Sequence, residues 1–399
     1  MKQSYDNFEK EMETMLQRVE WGKKQDYYFY MRNLESACGS KVRIDGREML
    51  MLGSNNYLGL TNHPRVKEAA IAAIKKYGVG SGGVRLLSGT YALHEAMECE
   101  IARFKGTEAA VAFSTGFMTN AGAIPILTME NSVVINDEKN HASIVDGCKA
   151  SRAEIRVFVH NNMEKLRGIL DHYPLQRDKL IIVDGVYSMD GDIANLREIH
   201  KLAKKYSARI MVDEAHATGV LGKNGRGTPE HFNVIGKIDI VMGTLSKALG
   251  GLGGFIASRK DVVTYLKHTT REFIFSTSLP PAICAGVIKA IKVIEEEPHL
   301  LRDLWRNIEF MKKGLNGMGY DTGNTQSAVI PIIIRDDVKT YKLAQLLHEA
   351  DIFVNPIVFP AVKKNESRIR INMMALHTLT DLEMALGCFN KAGKKLKII

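Results

Sequence analysis

The chain's 399 residues, 45% hydrophobic and 25% charged, have the make-up of a soluble globular protein with room for more than one core. No apolar run approaches the ~18 residues that a membrane span needs, and residues 1–24 are too charged for a secretory signal, which leaves only peripheral membrane contact open. The net charge of +9 is scattered among acidic residues rather than gathered in a basic block, so it favours local anion sites over nucleic acid.

In chain order, Phe8, Met12, Met15, Leu16 and Val19 recur at helical spacing and predict an amphipathic arm. Alternation on either side of Asp45-Gly46 predicts a hairpin over 41–52. A polar turn follows at 53–60, then a helix over 64–77. The loop 78–83 is rich in glycine, which suits close backbone approach to a ligand or a second subunit, and Arg85 lies just beyond it. Apolar runs at 109–113, 133–136, 155–159, 180–183, 210–212, 238–242 and 254–257 predict strands. Most are continuous rather than alternating, as in a parallel sheet buried on both faces, and helices such as 94–104 and 195–206 fall between them. This is the pattern of a doubly wound α/β domain. Past about 290 the order changes to a helix over 295–318, a strand over 329–334, a helix over 341–350, a strand over 368–374 and a closing helix from Leu379. The expected division is an arm and hairpin over 1–52, a large α/β domain over 53–290 and a smaller α+β domain over 291–399. The five cysteines are scattered and lack a C-x-x-C spacing, which reads as reduced thiols in a cytoplasmic protein without a zinc site.

Ligands of open α/β sheets collect beyond the carboxyl ends of the strands. Four such ends carry polar residues here. Ser114-Thr115-Gly116-Phe117 opens a helix, where free amides bind phosphate, although Ser114 or Thr115 would serve equally as an ordinary N-cap. Asn140-His141 follows a strand, and its histidine could stack on a flat ring or move protons. Asp184 to Asp192 is acidic but does not match a calcium loop. Asp213-Glu214-Ala215-His216 spells a helicase-like DEAH box, yet the phosphate loop G-x-x-x-x-G-K-[ST] that a helicase needs does not occur. The fifth element is Gly243 to Gly251, which sets Lys247 among small residues after a buried strand. Burial lowers a lysine's pKa and frees its amine for Schiff-base chemistry, though a loop lysine can also simply snorkel to water. An aspartate upstream of such a lysine, a phosphate-type turn and a histidine together point to pyridoxal 5′-phosphate. The lysine would form the Schiff base, the aspartate would keep the ring nitrogen protonated, and Thr244 would help to hold the phosphate.

From about Gly39 to the C-terminus, the segments SNNYLGL, NHASIVDG, DGVYSMDGDIANL, VDEAHATGVLG, GTLSKALGGLGGF, FSTSLPPA and RIRINMMALHT resemble those of the α-oxoamine synthases. That resemblance implies a fold-type I, aspartate aminotransferase-like transferase with a mostly parallel large-domain sheet. It implies that Lys247 holds the cofactor, Asp213 pairs with its ring nitrogen and His141 stacks on it. His216 and Ser188 would lie near the ring hydroxyl, and Thr244 with the Gly116 and Phe117 amides would hold the phosphate. Ser276 and Thr277 would reach the neighbouring subunit's cofactor, making a homodimer with shared sites. Asn55, Arg85 and Arg370 are the substrate-contact candidates, with Arg370 suited to a carboxylate. The reaction implied is a Claisen-type condensation of an amino acid with an acyl-CoA, releasing CoA and usually CO2. Segments such as HNNMEKL and FVNPIVFPAV resemble the serine palmitoyltransferase branch and point to L-serine and a long-chain acyl-CoA. Val84 and Asn140 are more like the glycine C-acetyltransferase and 8-amino-7-oxononanoate synthase branches, and an aminotransferase would share Lys247 and Asp213.

Overall fold

The computed structural model describes residues 2–399. A helix at Lys2–Lys24 opens the chain and leaves Phe8, Met12, Met15 and Leu16 exposed. The expected hairpin forms from β1 (Lys41–Ile44) and β2 (Arg47–Met51). Its turn residues Asp45 and Gly46 have φ of 50° and 74°, the left-handed pair that matches a two-residue turn to strand twist.

The large sheet holds β3 (Ala109–Phe113), β4 (Val133–Asp137), β5 (Glu154–Phe158), β6 (Lys179–Asp184), β7 (Arg209–Asp213), β8 (Ile240–Thr244) and β9 (Gly254–Ser258). Their order is β3-β9-β8-β7-β6-β4-β5. Strands β4 to β8 run parallel, while β9 is antiparallel to both its neighbours. The connection from β8 to β9, residues 245–253, is too short for the crossover that a parallel pair requires. The continuous apolar runs have the expected cause. Ile135, Val183 and Val212 pack into one core cluster while Val134, Ile182 and Met211 pack into another. Strand β5 departs from this, because as an edge strand it leaves Ile155 and Val157 exposed.

The helix expected over 295–318 is two helices, Pro281–Glu296 and His299–Gly317, broken at Glu297-Pro298. Proline lacks the N–H and crowds the preceding turn, so a continuous helix fails there. Beyond it lie β10 (Val329–Ile333), β11 (Ile352–Phe353), β12 (Asn355–Ile357) and β13 (Arg368–Asn372). Strand β13 sits between β10 and β12, antiparallel to both. Strand β11 pairs in parallel with β2, so the N-terminal hairpin shares a sheet with the C-terminal part. Strands this short carry no readable periodicity. Asn372 N donates to Leu52 O at 2.7 Å and Ala375 N to Tyr57 O at 2.7 Å, which fastens the end of β13 to the segment holding Asn55.

Candidate active site

The carboxyl ends of β3, β4, β6, β7 and β8 open on one cavity of about 260 Å³. Its wall includes Gly116, Phe117, Asn120, His141, Ser143, Asp184 and, from the last two strands, Asp213, His216, Thr244 and Lys247. Five segments that sequence singled out separately are thus brought together. Lys247 is half-buried, and its removal from water lowers its amine to about pH 8, although Asp213 and Asp184 pull the other way; Arg370 adds to the lowering. A far larger share of neutral amine is therefore present near neutrality than an ordinary lysine offers.

Asp213 is buried at the end of β7 and accepts from Asn120 Nδ2 at 2.8 Å and from Ala215 N at 2.9 Å. Among the described residues no cation lies within ion-pair distance of it. Asp184, its register partner on β6, is pushed well up by burial and by the Asp213 charge. His141 caps the helix Ala142–Ala150 and bonds Ser143 Oγ through Nδ1 at 2.8 Å. Burial pushes its pKa down, against Asp213 and with Lys247. His216 is pushed well below the ordinary value by burial first and then by Lys247 and Arg370, and its Nδ1 meets the Tyr57 hydroxyl at 2.5 Å. A neutral Nδ1 accepting from Tyr57 leaves Nε2 as the proton-bearing nitrogen.

At the other end of the cavity the helix Gly116–Leu127 begins. Thr115 Oγ1 accepts from Met118 N at 3.1 Å, and Thr119 N reaches Thr115 O at 3.1 Å. The helix geometry leaves the Gly116 and Phe117 amides as its unspent donors. A Cβ on Gly116 would sit 3.1 Å from Thr244 Oγ1, so the glycine lets Thr244 close over this helix start. Ser246, which sequence did not single out, joins Thr244 Oγ1 at 2.8 Å. Thr244 Oγ1 donates its own hydrogen to Gly253 O at 2.9 Å, so the anion cradle at this end of the cavity is the two free amides with the Ser246 hydroxyl beside them.

The family model for aminotransferase class I and II matches residues 47–389. The chain is 47% identical to an 8-amino-7-oxononanoate synthase of Thermoanaerobacter pseudethanolicus, over 98% of this chain and 99% of that one. It is 43% identical to a serine palmitoyltransferase of Sphingobacterium spiritivorum, over 95% of each. It superposes with a TM-score of 0.94, at 34% identity over 98% and 99% of the two chains, on a serine palmitoyltransferase from S. paucimobilis bound to a pyridoxal phosphate–myriocin aldimine. The chain belongs to the class I and II aminotransferase family. Within it the chain is an α-oxoamine synthase, an enzyme with pyridoxal 5′-phosphate as cofactor, on the fold-type I architecture expected from its motifs.

The residues of this α-oxoamine synthase fit that cofactor. A buried carboxylate without a cation is costly unless a positive group meets it, and a protonated ring nitrogen would supply one at Asp213. The anion cradle suits the phosphate, and Lys247 suits the aldehyde. Arg370, on β13, bonds Ser188 O through Nη1 at 3.2 Å; its Nε is buried without a partner, and no carboxylate pairs with it among the described residues. Asn55 Oδ1 accepts from Asn372 Nδ2 at 3.1 Å beside the Tyr57 hydroxyl. Ser188 is not among the residues lining the cavity, and its carbonyl accepts from Arg370 Nη1.

Arg85 is a correction. Its guanidinium is spent on Glu98, at 2.7 and 3.3 Å, and is not free to grip a substrate. Ser276 and Thr277, expected to serve the neighbouring subunit's site, line a pocket separate from this chain's Lys247 cavity, together with Arg85. Three further residues, Asn120, Ser143 and Asp184, line the cavity although no role was read for them. Only their places in the first turns of the helix after β3, in the NHAS segment and at a strand end could have flagged them.

Proposed function

We propose that this α-oxoamine synthase joins L-alanine to a pimeloyl thioester to make 8-amino-7-oxononanoate. The observation that carries the reading is the 47% identity along nearly all of the Thermoanaerobacter enzyme, above the 43% shared with the Sphingobacterium serine palmitoyltransferase. The product's name defines its halves. The last two carbons and the amine are those of alanine after its carboxylate leaves as CO2, and the other seven are the acyl group of a dicarboxylic thioester. The expectation of serine with a long-chain acyl-CoA rested on short segments, which weigh less than whole-chain identity. It stands as the second reading because of the 0.94 TM-score with the S. paucimobilis enzyme.

Bound in this cavity, the cofactor supplies an aldehyde that condenses with amines and a cationic ring that stores an electron pair. Lys247 would hold the cofactor through its amine, and that amine, once free, would be the base at the substrate's Cα proton. Asp213 keeps the ring nitrogen protonated. Arg370 grips the substrate carboxylate with its unspent guanidinium. His141 donates a hydrogen bond to the thioester carbonyl as the new bond forms, and the thiol then leaves.

The test is to give the holoenzyme glycine, L-alanine and L-serine, each with acetyl-, pimeloyl- and palmitoyl-CoA, and to follow thiol release. Alanine with pimeloyl-CoA should lead the other pairs by at least about tenfold in kcat/KM. A lead for serine with palmitoyl-CoA would install the second reading, and amino-group transfer without thiol release would sink condensation altogether.

The same reading makes the enzyme a cytoplasmic homodimer with shared sites, its cofactor domain over 53–290 and its smaller domain over 291–399. The described cysteines are all free, which supports a reducing compartment. Loops 78–90 and 275–279 are joined by Ser278 N to Gly83 O at 3.0 Å, and they expose Val79, Leu87 and Phe275, an apolar face suited to a second copy. Mixing a Lys247→Ala chain with a Ser276→Ala/Thr277→Ala chain should restore activity, because one of the two hybrid sites would then be native. No restoration would remove the shared-site assignment.

A further inference from the structure

Asn120 and Ser143 are buried polar residues on two different helices, yet they meet between the two principal contacts expected for the cofactor ring. Asn120 Nδ2 donates to Asp213 Oδ2 at 2.8 Å and to Ser143 Oγ at 2.9 Å. An amide nitrogen only donates, so Ser143 Oγ is an acceptor on that side and spends its own hydrogen on the other. The other side is His141 Nδ1, at 2.8 Å, which also faces the Ser143 backbone N–H at 3.3 Å. Two donors therefore converge on Nδ1. The reversed amide would set Asn120 Oδ1 against the Asp213 carboxylate, so charge fixes the direction of the whole chain.

We propose that Asn120 and Ser143 are positioning residues that hold His141 in the tautomer with its proton on Nε2, the nitrogen left to the cavity. One amide thus anchors both the carboxylate that meets the ring nitrogen and the donor offered to the reacting carbonyl. The arrangement stabilises neutral His141, because a proton on Nδ1 would face the Ser143 hydroxyl hydrogen and amide. The other titratable groups around the ring are Asp213, Lys247, Asp184, whose carboxyl meets the His141 backbone N–H, and His216. Burial and Lys247 act in the same direction as Ser143, while Asp213 opposes them. The proposal rests on the family reaction and not on which amino acid is used.

The test is nitrogen NMR of the holoenzyme labelled with 15N-histidine, with the His141 signals assigned by their loss in His141→Asn. The expected pattern is an unprotonated Nδ1 and a protonated Nε2. Ser143→Ala should mix the tautomers, raise the pH of the acid limb of kcat/KM, and lower kcat by about tenfold to a hundredfold, while the amino-acid KM stays put. Ser143→Thr should restore the wild-type NMR pattern and acid limb. A wild-type enzyme protonated on Nδ1 would overturn the proposal, as would a Ser143→Ala enzyme with unchanged tautomer and acid limb. Should Ser143→Ala fail to fold, the wild-type spectrum and Ser143→Thr still decide it. The NMR readout is independent of turnover, so failure of the alanine reading leaves this result interpretable.

Discussion

The Lys247 cavity and the Arg85 cluster are built from the same residue types, and they spend their charges differently. Arg85 is almost wholly enclosed, at 7% side-chain exposure, and is answered from every side. It holds Glu98 with two nitrogens and Thr90 Oγ1 with a third, and lies 5.5 Å over the Phe273 ring. Glu98 also takes Lys267 at 2.7 Å and the Ala112 amide at 3.1 Å. At the cavity, by contrast, Asp184, Asp213 and Lys247 form no ion pair among the described residues, nor does Arg370, whose charge reaches Lys247 and whose Nε meets no acceptor. Unanswered buried charge costs stability, so a fold keeps it where a ligand completes it. Charge closed on itself builds scaffold, and charge left open marks chemistry.

The sharpest way to break that contrast is at Lys247. Lys247→Ala should lower thiol release by about 10⁴-fold or more, with no loss in melting temperature, since no ion pair is severed. A thermal shift comparable to the activity loss would mean that the lysine belongs to the scaffold. Glu98→Ala should do the reverse. It strands Arg85 and Lys267 beside apolar neighbours and should cost about 3–5 kcal/mol in urea unfolding, while the folded fraction still takes up cofactor. Smaller again is Arg370→Ala, which should raise the amino-acid dissociation constant roughly 10- to 100-fold, the worth of a charge-assisted pair. Its melting point should hold or rise, because an uncompensated cation is removed. If Arg370→Ala destabilised the chain as Glu98→Ala does, the two arginines would not differ in kind.

That difference was not legible in the sequence. Arg85 and Arg370 look alike there, each an arginine near a motif, and only the burial of Glu98 on a neighbouring helix separates them. The sheet was legible, since two-sided burial writes itself as runs such as Leu180–Ile181–Ile182–Val183. So was the meeting of Lys247, Asp213 and His141 at one cavity, because each lies within five residues of the end of such a run. The pairing of β2 with β11 was not, because it joins residues some three hundred positions apart through a two-residue strand. Asn120 and Ser143 stayed silent for a related reason. A buried amide or hydroxyl gains meaning only from partners on other elements, and no local pattern announces those.

The smallest expected effect concerns pH and sets a closed charge group against the open one. His160 lies between Asp137 at 2.9 Å and Asp192 at 2.7 Å, and these bonds raise it to about 9, although burial alone would lower it. A histidine raised from its ordinary 6.5 binds a proton in the folded chain that the unfolded chain has lost. Its contribution is therefore complete below about pH 6.5 and disappears as pH rises through about 9. Lys247, lowered from 10.5 to about 8, acts with the opposite sign. Between those values the unfolded chain holds the proton that the folded chain has released, so stability rises with pH. Urea unfolding of the cofactor-stripped protein across this range separates the two. His160→Asn should flatten the fall that begins near neutrality, and Lys247→Met should flatten the rise above about pH 8. If each substitution removed the other's slope, the closed and open groups would have been assigned the wrong way round.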